Sequence, residues 1–529
     1  LAVVALCLIN PELKLQGRNP FKETQVLPYI SQEFKVSSKQ TASQEILSNK
    51  DLLQKTVSLM TDGFSSKENR LIGMEIELPL FDENLKPITY ADPEKGLKKV
   101  LEALVAKHGW HVAESENGNP LALVKNKNMV MLEPGGQIEF AGAARKTMTD
   151  VKEDFSGFLQ DLESVCEEMG IDALPFGFHP HTEEKDCPFV HESSRFTALL
   201  PIFEAEGSAA WQQACSVQVT LDAATKDSAF DDFRFGLALQ PVAAAIFANS
   251  PFADAKNSQC QSWRRKSLQQ LDSPYYAVPE SIYDSDFGIQ DWAEYVLTVP
   301  MSFVVRNGQY IAVADNPFED MVGKPLPELS HLPESQQYLT ACDLKDHLTG
   351  IKPDMLLKPG LLLECRAADL GPDQDHMLAV GAFWVGLMYD EKAYQAASDY
   401  IGNWTAQDRK IIHDNVAEKG LDTPVGQETM QEAALGLLAI AREGLMRIDP
   451  DSAPMLDKVM EQVAQGATPA TKALLKYENS NQNMEKSLRQ SFMFAAAKKD
   501  KGLEPEKSIN PTANKQNPAQ KTVKKKALK

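Results

Sequence analysis

The sequence lacks the short signatures of the common nucleotide and hydrolase sites. It has no GxxxxGK[ST] loop, no GxGxxG followed by an acidic residue, no HExxH and no GxSxG. P-loop and dinucleotide-fold chemistry, zinc proteolysis and a serine-hydrolase elbow are therefore set aside. Cysteine is sparse: seven residues (Cys7, Cys166, Cys187, Cys215, Cys260, Cys342 and Cys365), with no CxxC pair among them, so a zinc or dithiol motif of the usual spacing is excluded. An odd, scattered count implies reduced thiols and predicts a cytoplasmic protein. Long apolar runs are also missing. The first nine residues, LAVVALCLI, are far too short to span a bilayer and lack a preceding basic segment, so they read as a truncated start rather than a signal peptide. Basic charge is outweighed, with 54 Lys and Arg against 74 Asp and Glu and a formal net charge of −20. That balance argues against a nucleic-acid footprint and leaves small molecules as the expected partners.

What is present is ordinary globular material: 43% hydrophobic and 24% charged residues over 529 positions, enough to bury a sizeable core. Apolar spacing predicts amphipathic helices over 46–62, 94–108 and 147–169, a buried helix over 241–252, and mainly helix from 377 to 447. Strands are predicted at 71–81, 128–142 with a Pro-Gly-Gly interruption, 214–222, 299–306 and 360–370. Long, unequal helical stretches separate them, so the expected class is α+β with an antiparallel or mixed sheet, not a doubly wound fold. Residues 1–45 carry no clear period and read as an extension. From 481 to 529 the chain turns Lys, Asn, Gln and Pro rich, and reads as a largely disordered basic tail without a binding role.

The strands carry the chemistry. Residues two apart on a strand share a face. Glu75 and Glu77 therefore alternate with Met74, Ile76 and Leu78, and Gln218 and Thr220 with Val217, Val219 and Leu221. Glu364 and Arg366 alternate with Leu363, Cys365 and Ala367, while Glu133 and Glu139 flank the Gly135-Gly136 turn at an even spacing. Each strand alone fits an ordinary half-exposed sheet. Together they put acidic residues inside apolar strands, where a carboxylate is costly unless paired or metal-bound. Several Glu oxygens converging on one pocket suit Mg²⁺ ions that bridge nucleotide phosphates. Arg366 would meet a phosphate with its planar fork, and Gly135 and Gly136 would allow close backbone approach by the ligand. His179 and His181, in GFHPH, have no third spaced ligand and read as loop residues near the site.

These strings resemble the plant-type glutamate–cysteine ligases. RLIGMEIEL is similar to that family's IGxExE strand, and MLEPGGQIEFAGA to its LEPGGQxE segment. ACSVQVTLD, LQPVAAAIFANSPF, WAEYVLTVPMSFVVR, DHLTGIKPDMLLKPGLLLECRAADLG and AFWVGLMYDEKA follow in the family order, so 46–480 is expected to be the catalytic domain. The resemblance implies a glutamine-synthetase-like antiparallel sheet forming a half-funnel, surrounded by helices. It also implies the reaction: MgATP phosphorylates the glutamate γ-carboxylate, and the amine of cysteine attacks the acyl phosphate. Glu75, Glu77, Glu133, Glu139 and Glu364 are implied as metal ligands, with Glu364 and Arg366 as the catalytic pair. Gly135, Gly136 and Arg366 are implied at the nucleotide, and Arg195, Gln218 and Thr220 at the amino-acid substrates. Arg264 and Arg265 are alternatives for one further substrate contact, because QSWRRKSLQQLDSPYY departs from the family's loop. Thr220 stands where the family usually has Asn. The rival readings are a relative that joins glutamate to a different amine and a non-catalytic binding protein on the same fold.

Overall fold

Strand alternation sets the architecture. Eight segments pair into one sheet: Ile72–Leu78 (β1), His111–Glu116 (β2), Asn119–Lys125 (β3), Asn128–Leu132 (β4), Ile138–Ala141 (β5), Ser216–Asp222 (β6), Met355–Lys358 (β7) and Leu362–Asp369 (β8). The computed structural model describes residues 45–64, 70–206, 208–271, 273–313 and 316–494. The sheet order is β7-β8-β6-β1-β5-β4-β3-β2, and each neighbouring pair is antiparallel. The expected antiparallel α+β fold is thus observed. Strands β2, β3 and β7 escaped the sequence reading. Yet the β2–β3 and β3–β4 connections are tight turns whose Asn117, Gly118, Asn126 and Lys127 all take positive φ, as two-residue hairpins require.

One face of the sheet is apolar. Met74, Ile76, Phe140, Val217, Val219 and Leu363 are all at most 1% exposed. Six helices matter for the site and its support: Met148–Met169 (α1), Ser194–Glu206 (α2), Ala229–Ile246 (α3), Trp263–Gln270 (α4), Gln374–Met388 (α5) and Met430–Ile448 (α6). Helix α1 packs on this face through Phe155 and Phe158, whose rings lie 5.5 and 4.9 Å from that of Phe140. Burying one such ring contributes about 1.5–3 kcal/mol. Thr147 caps α1 by accepting from the amide of Asp150, and Gly170 closes it with φ of 64°. Helix α5 is buried along nearly its whole length, between the sheet and α6.

Several expected boundaries shift. Of the buried helix predicted over 241–252 only 241–246 is helical, as the last third of α3, which starts at Ala229, runs through Pro241 and ends at Ile246. Proline ordinarily breaks a helix by losing one hydrogen bond and crowding the preceding turn; here the flanking residues are buried from Phe235 to Gly236 and from Leu239 to Gln240, and packing overrides it. The strand predicted over 299–306 forms a separate hairpin, Phe303–Arg306 with Gln309–Ala312, outside the large sheet. The folded chain also continues past 480. A helix at Met484–Arg489 (α7) buries Leu488, and Phe492 and Phe494 are buried beyond it. The amide of Phe494 donates to Asp172 at 2.7 Å. The proposed extension over 1–45, apart from its last residue, and the rest of the basic tail lie outside the described residues.

Candidate active site

Pairing register puts the polar residues of four strands on one face. Glu77 of β1 lies opposite Glu139 of β5, Glu75 opposite Gln218 of β6, and Thr220 opposite Glu364 of β8. All five glutamates singled out from the sequence are buried, with Glu364 fully so. Glu75, Glu77, Glu133 and Glu139 lie near enough to act on one another, while Glu364 is answered by cations. A lysine missed by sequence reasoning, Lys358 at the end of β7, forms an ion pair with Glu364 and lies 3.6 Å from Glu75. Its strand position shares a face with Leu356, which lies opposite Glu364, a register that alternation within MLLK does not reveal. Arg366 forms the second ion pair with Glu364 and donates to Gln218 at 2.5 Å. Burial alone would push the Glu364 carboxyl up, but Lys358 and Arg366 overcome it and hold it well below the usual range.

Glu77 is satisfied differently. It accepts from the amide and hydroxyl of Ser216 at 2.6 and 2.9 Å, and from Gln218 at 2.9 Å. Burial and the neighbouring Glu133 nevertheless push it up to about 7. Glu139 is the extreme case. Both its oxygens and one oxygen of Glu75 are buried with no hydrogen-bond donor. Burial first, then Glu133 and Glu75, raise Glu139 well above the usual carboxylate range. Orphaned anionic oxygens of this kind fit a cation. Among the described residues no three His, Cys, Asp or Glu side chains are gathered closely enough to hold a metal by themselves.

The other expected residues divide between site and support. Arg366, Arg264, Glu77 and Glu133 line a cavity of about 280 Å³, with Lys352 and Trp211 on its wall. Arg264 of α4 also holds the strand: it donates to the carbonyls of Arg366 at 2.8 Å and Ala367 at 3.4 Å, across the bulge between Cys365 and Ala368. Gln240 of α3 accepts from the amides of the same two residues, at 3.2 and 3.1 Å. Arg265 pairs with Asp354 at 2.8 Å. Arg195, near the start of α2, is buried with its guanidinium 5.9 Å over the Phe196 ring, and its charge reaches Lys352.

Packing adds detail at two of the expected positions. Gly135 and Gly136 turn the chain between β4 and β5, but the room beside them is taken by the protein. A Cβ on Gly135 would meet the carbonyl oxygen of Gln212 at 1.9 Å, and one on Gly136 would meet Leu97 at 2.7 Å. On the side where a Cβ would stand, their small size serves close packing of the chain against itself. His179 is a buried imidazole edge-on to Phe81, with both nitrogens unpartnered, and burial lowers it to about 3. It is a packed ring in a loop, as expected from the sequence.

Comparison with known proteins follows the same line. Residues 71–492 match the family described as Glutamate-cysteine ligase family 2 (GCS2). Glutamate–cysteine ligase B, chloroplastic, of Oryza sativa subsp. japonica is 34% identical over 455 residues, covering 85% of this chain and 88% of that protein. Glutamate–cysteine ligase, chloroplastic, of Nicotiana tabacum is 35% identical over 438 residues, covering 82% and 80%. The crystal structure of a glutamate–cysteine ligase from Francisella tularensis in complex with AMP covers 82% of this chain and 90% of its own, at 12% identity and a TM-score of 0.48. The cytoplasmic location expected from the cysteines is overturned by these relatives, which are chloroplastic by name; scattered thiols report a reducing environment and do not tell one such compartment from another. With a match across most of its length, the chain belongs to glutamate–cysteine ligase family 2.

Proposed function

We propose that the protein joins the γ-carboxylate of glutamate to the amine of cysteine, using ATP and passing through γ-glutamyl phosphate. The observation that carries this reading is the division of the site. A face of buried carboxylates with orphaned oxygens adjoins a cavity lined by Arg366, Arg264 and Lys352. The acidic part suits a metal-bound triphosphate, and the basic part suits carboxylates and a phosphoryl group in transit. Glu139, with Glu75, Glu77 and Glu133 beside it, would hold Mg²⁺, which supplies neutralisation of the phosphates.

The chain's own residues do the rest. Glu364 and Gln218 fix the Arg366 guanidinium, so its charge is already in place when negative charge develops on the transferring group. Loss of one such preorganised contact costs about 2.7–4 kcal/mol in rate. Trp211 and Tyr276 wall the cavity, keeping water from an acyl phosphate and holding the amine near its carbon. The amine nitrogen bonds to that carbon as the carbon–oxygen bond to phosphate breaks, and no enzyme nucleophile is required. The relatives' names support a plastid as the compartment.

Purified protein given glutamate, cysteine, ATP and Mg²⁺ should form γ-glutamylcysteine, ADP and phosphate, followed by mass spectrometry and phosphate release. Omission of any one component should stop turnover. Release of AMP and pyrophosphate would refute the acyl-phosphate route.

A further inference from the structure

Lys352 lines the cavity and is buried, 6% exposed. Its backbone is fixed, since its amide donates to the Tyr275 carbonyl at 2.6 Å and Pro353 follows. Its ammonium has no hydrogen-bond partner. The ring of Trp211 lies 5.9 Å away, at the outer limit of a cation–π contact. Asp354 is engaged by Arg265, Glu364 by Lys358 and Arg366, and Glu77 by Ser216 and Gln218, which leaves Glu133 of the same cavity as the acid that bears on Lys352, without a hydrogen bond to it.

A buried ammonium with no anion hydrogen-bonded to it is costly. Burial, then Arg366 and Arg195, lower Lys352 to about 7, against the pull of Glu133 and Glu364. The arrangement becomes favourable once an anion enters. The cavity also indicates which anion. At about 280 Å³ it is at the small end of ligand cavities, and the ring of Trp211, with that of Tyr276 5.6 Å from it, gives it an aromatic wall on the Lys352 side. Such a wall suits an amino acid better than a triphosphate, which the carboxylate face with its metal would hold.

We propose that Lys352 is the carboxylate anchor for an amino-acid substrate, pairing with the α-carboxylate of glutamate or of the amine acceptor and so setting specificity. This rests on the ligase reading above, but it is tested by binding as well as by turnover.

The experiment compares wild type, Lys352→Met and Lys352→Arg by calorimetric titration with glutamate and with cysteine, in the presence of Mg²⁺ and a non-hydrolysable ATP analogue. Lys352→Met should weaken one of the two amino acids at least tenfold and leave the nucleotide within twofold. Its melting temperature should be no lower, because a buried charge with no hydrogen-bonded anion is removed, and Lys352→Arg should recover part of the affinity. Decarboxylated analogues separate the two sources. If glutamate is the partner, wild-type preference for glutamate over 4-aminobutyrate shrinks in Lys352→Met; if the acceptor is, preference for cysteine over cysteamine shrinks. Both amino acids bound by Lys352→Met as by wild type, a loss confined to the nucleotide, or a wild type that binds neither amino acid would each overturn the anchor. Wild type that binds both and forms no peptide bond sinks the ligase reading alone, and the titrations still decide the role of Lys352.

Discussion

Glu364→Gln is the substitution with the clearest energetic signature. The carboxylate is fully buried, with Lys358 on one side and Arg366 on the other. Replacing it by an amide leaves two buried cations facing a neutral group. Removing one partner of a buried pair typically costs about 3–5 kcal/mol, and with both cations more than four-fifths buried no large discount for solvent applies. Urea unfolding followed by circular dichroism should show a loss of that size. Lys358→Met in the Glu364→Gln background should return part of it, because one orphaned cation goes as well; contacting residues typically couple by about 0.5–3 kcal/mol. Activity should not return with stability. The pH dependence follows from the two shifts. Glu364 lies below its ordinary value of 4.5, so its contribution is present above pH 4.5 and is lost as pH falls through the folded value. Lys358 lies above its ordinary 10.5, so its contribution is present below that and is lost as pH rises through the folded value. The gap between wild type and Glu364→Gln should therefore be flat from about pH 5 to 10 and narrow at both extremes. A variant within about 1 kcal/mol of wild type at neutral pH, or strict additivity with Lys358→Met, would refute the pairing.

Two further outcomes are expected. Glu77 lies at about 7 against an ordinary 4.5, so its proton favours the folded state and that contribution fades as pH rises from 4.5 through 7. The thermal shift given by Mg²⁺ with an ATP analogue should accordingly grow between pH 6 and 8, and a flat profile would remove Glu77 from the metal set. Gly135→Ala places a methyl group 1.9 Å from a backbone oxygen and should lower the melting temperature or soluble yield with no nucleotide present, a loss at or above the usual overpacking cost of about 1–3 kcal/mol. A soluble, fully stable variant with weakened ATP binding would assign this turn to the nucleotide instead.

The carboxylate face was legible because strand period is rigid. Glu75, Glu77, Gln218, Thr220 and Glu364 fall on one face by counting, and the register bears this out. Counting could not say which glutamate would be answered by a cation, because Lys358 comes from a four-residue strand with no polar alternation of its own. It also could not show that the space beside Gly135 is filled by Gln212, 77 residues away, since close packing between distant segments leaves no local signal. Arg264 and Arg265 were adjacent alternatives in sequence; helix geometry turns one toward the Arg366 backbone and the other toward Asp354. The α3 boundary failed where a local rule about proline met a buried environment that outweighed it.

The bulge in β8 puts the aim of Arg366 under remote control. At this point Gln240 and Arg264 take up the amides and carbonyls of the strand, and they come from two helices more than a hundred residues upstream. Changes in the long stretch between α4 and β7 leave the guanidinium in place where they spare both helices, the cavity residues Tyr276 and Lys352, and Asp354, whose carbonyl also accepts from the Arg366 amide at 3.1 Å. A small slide of α3 against α4 would redirect it with no change at position 366. Attempts to alter the enzyme's rate by replacing residues around the arginine address the pointer; the bearing on which it turns is Gln240 with Arg264, and the two should vary as a pair or not at all.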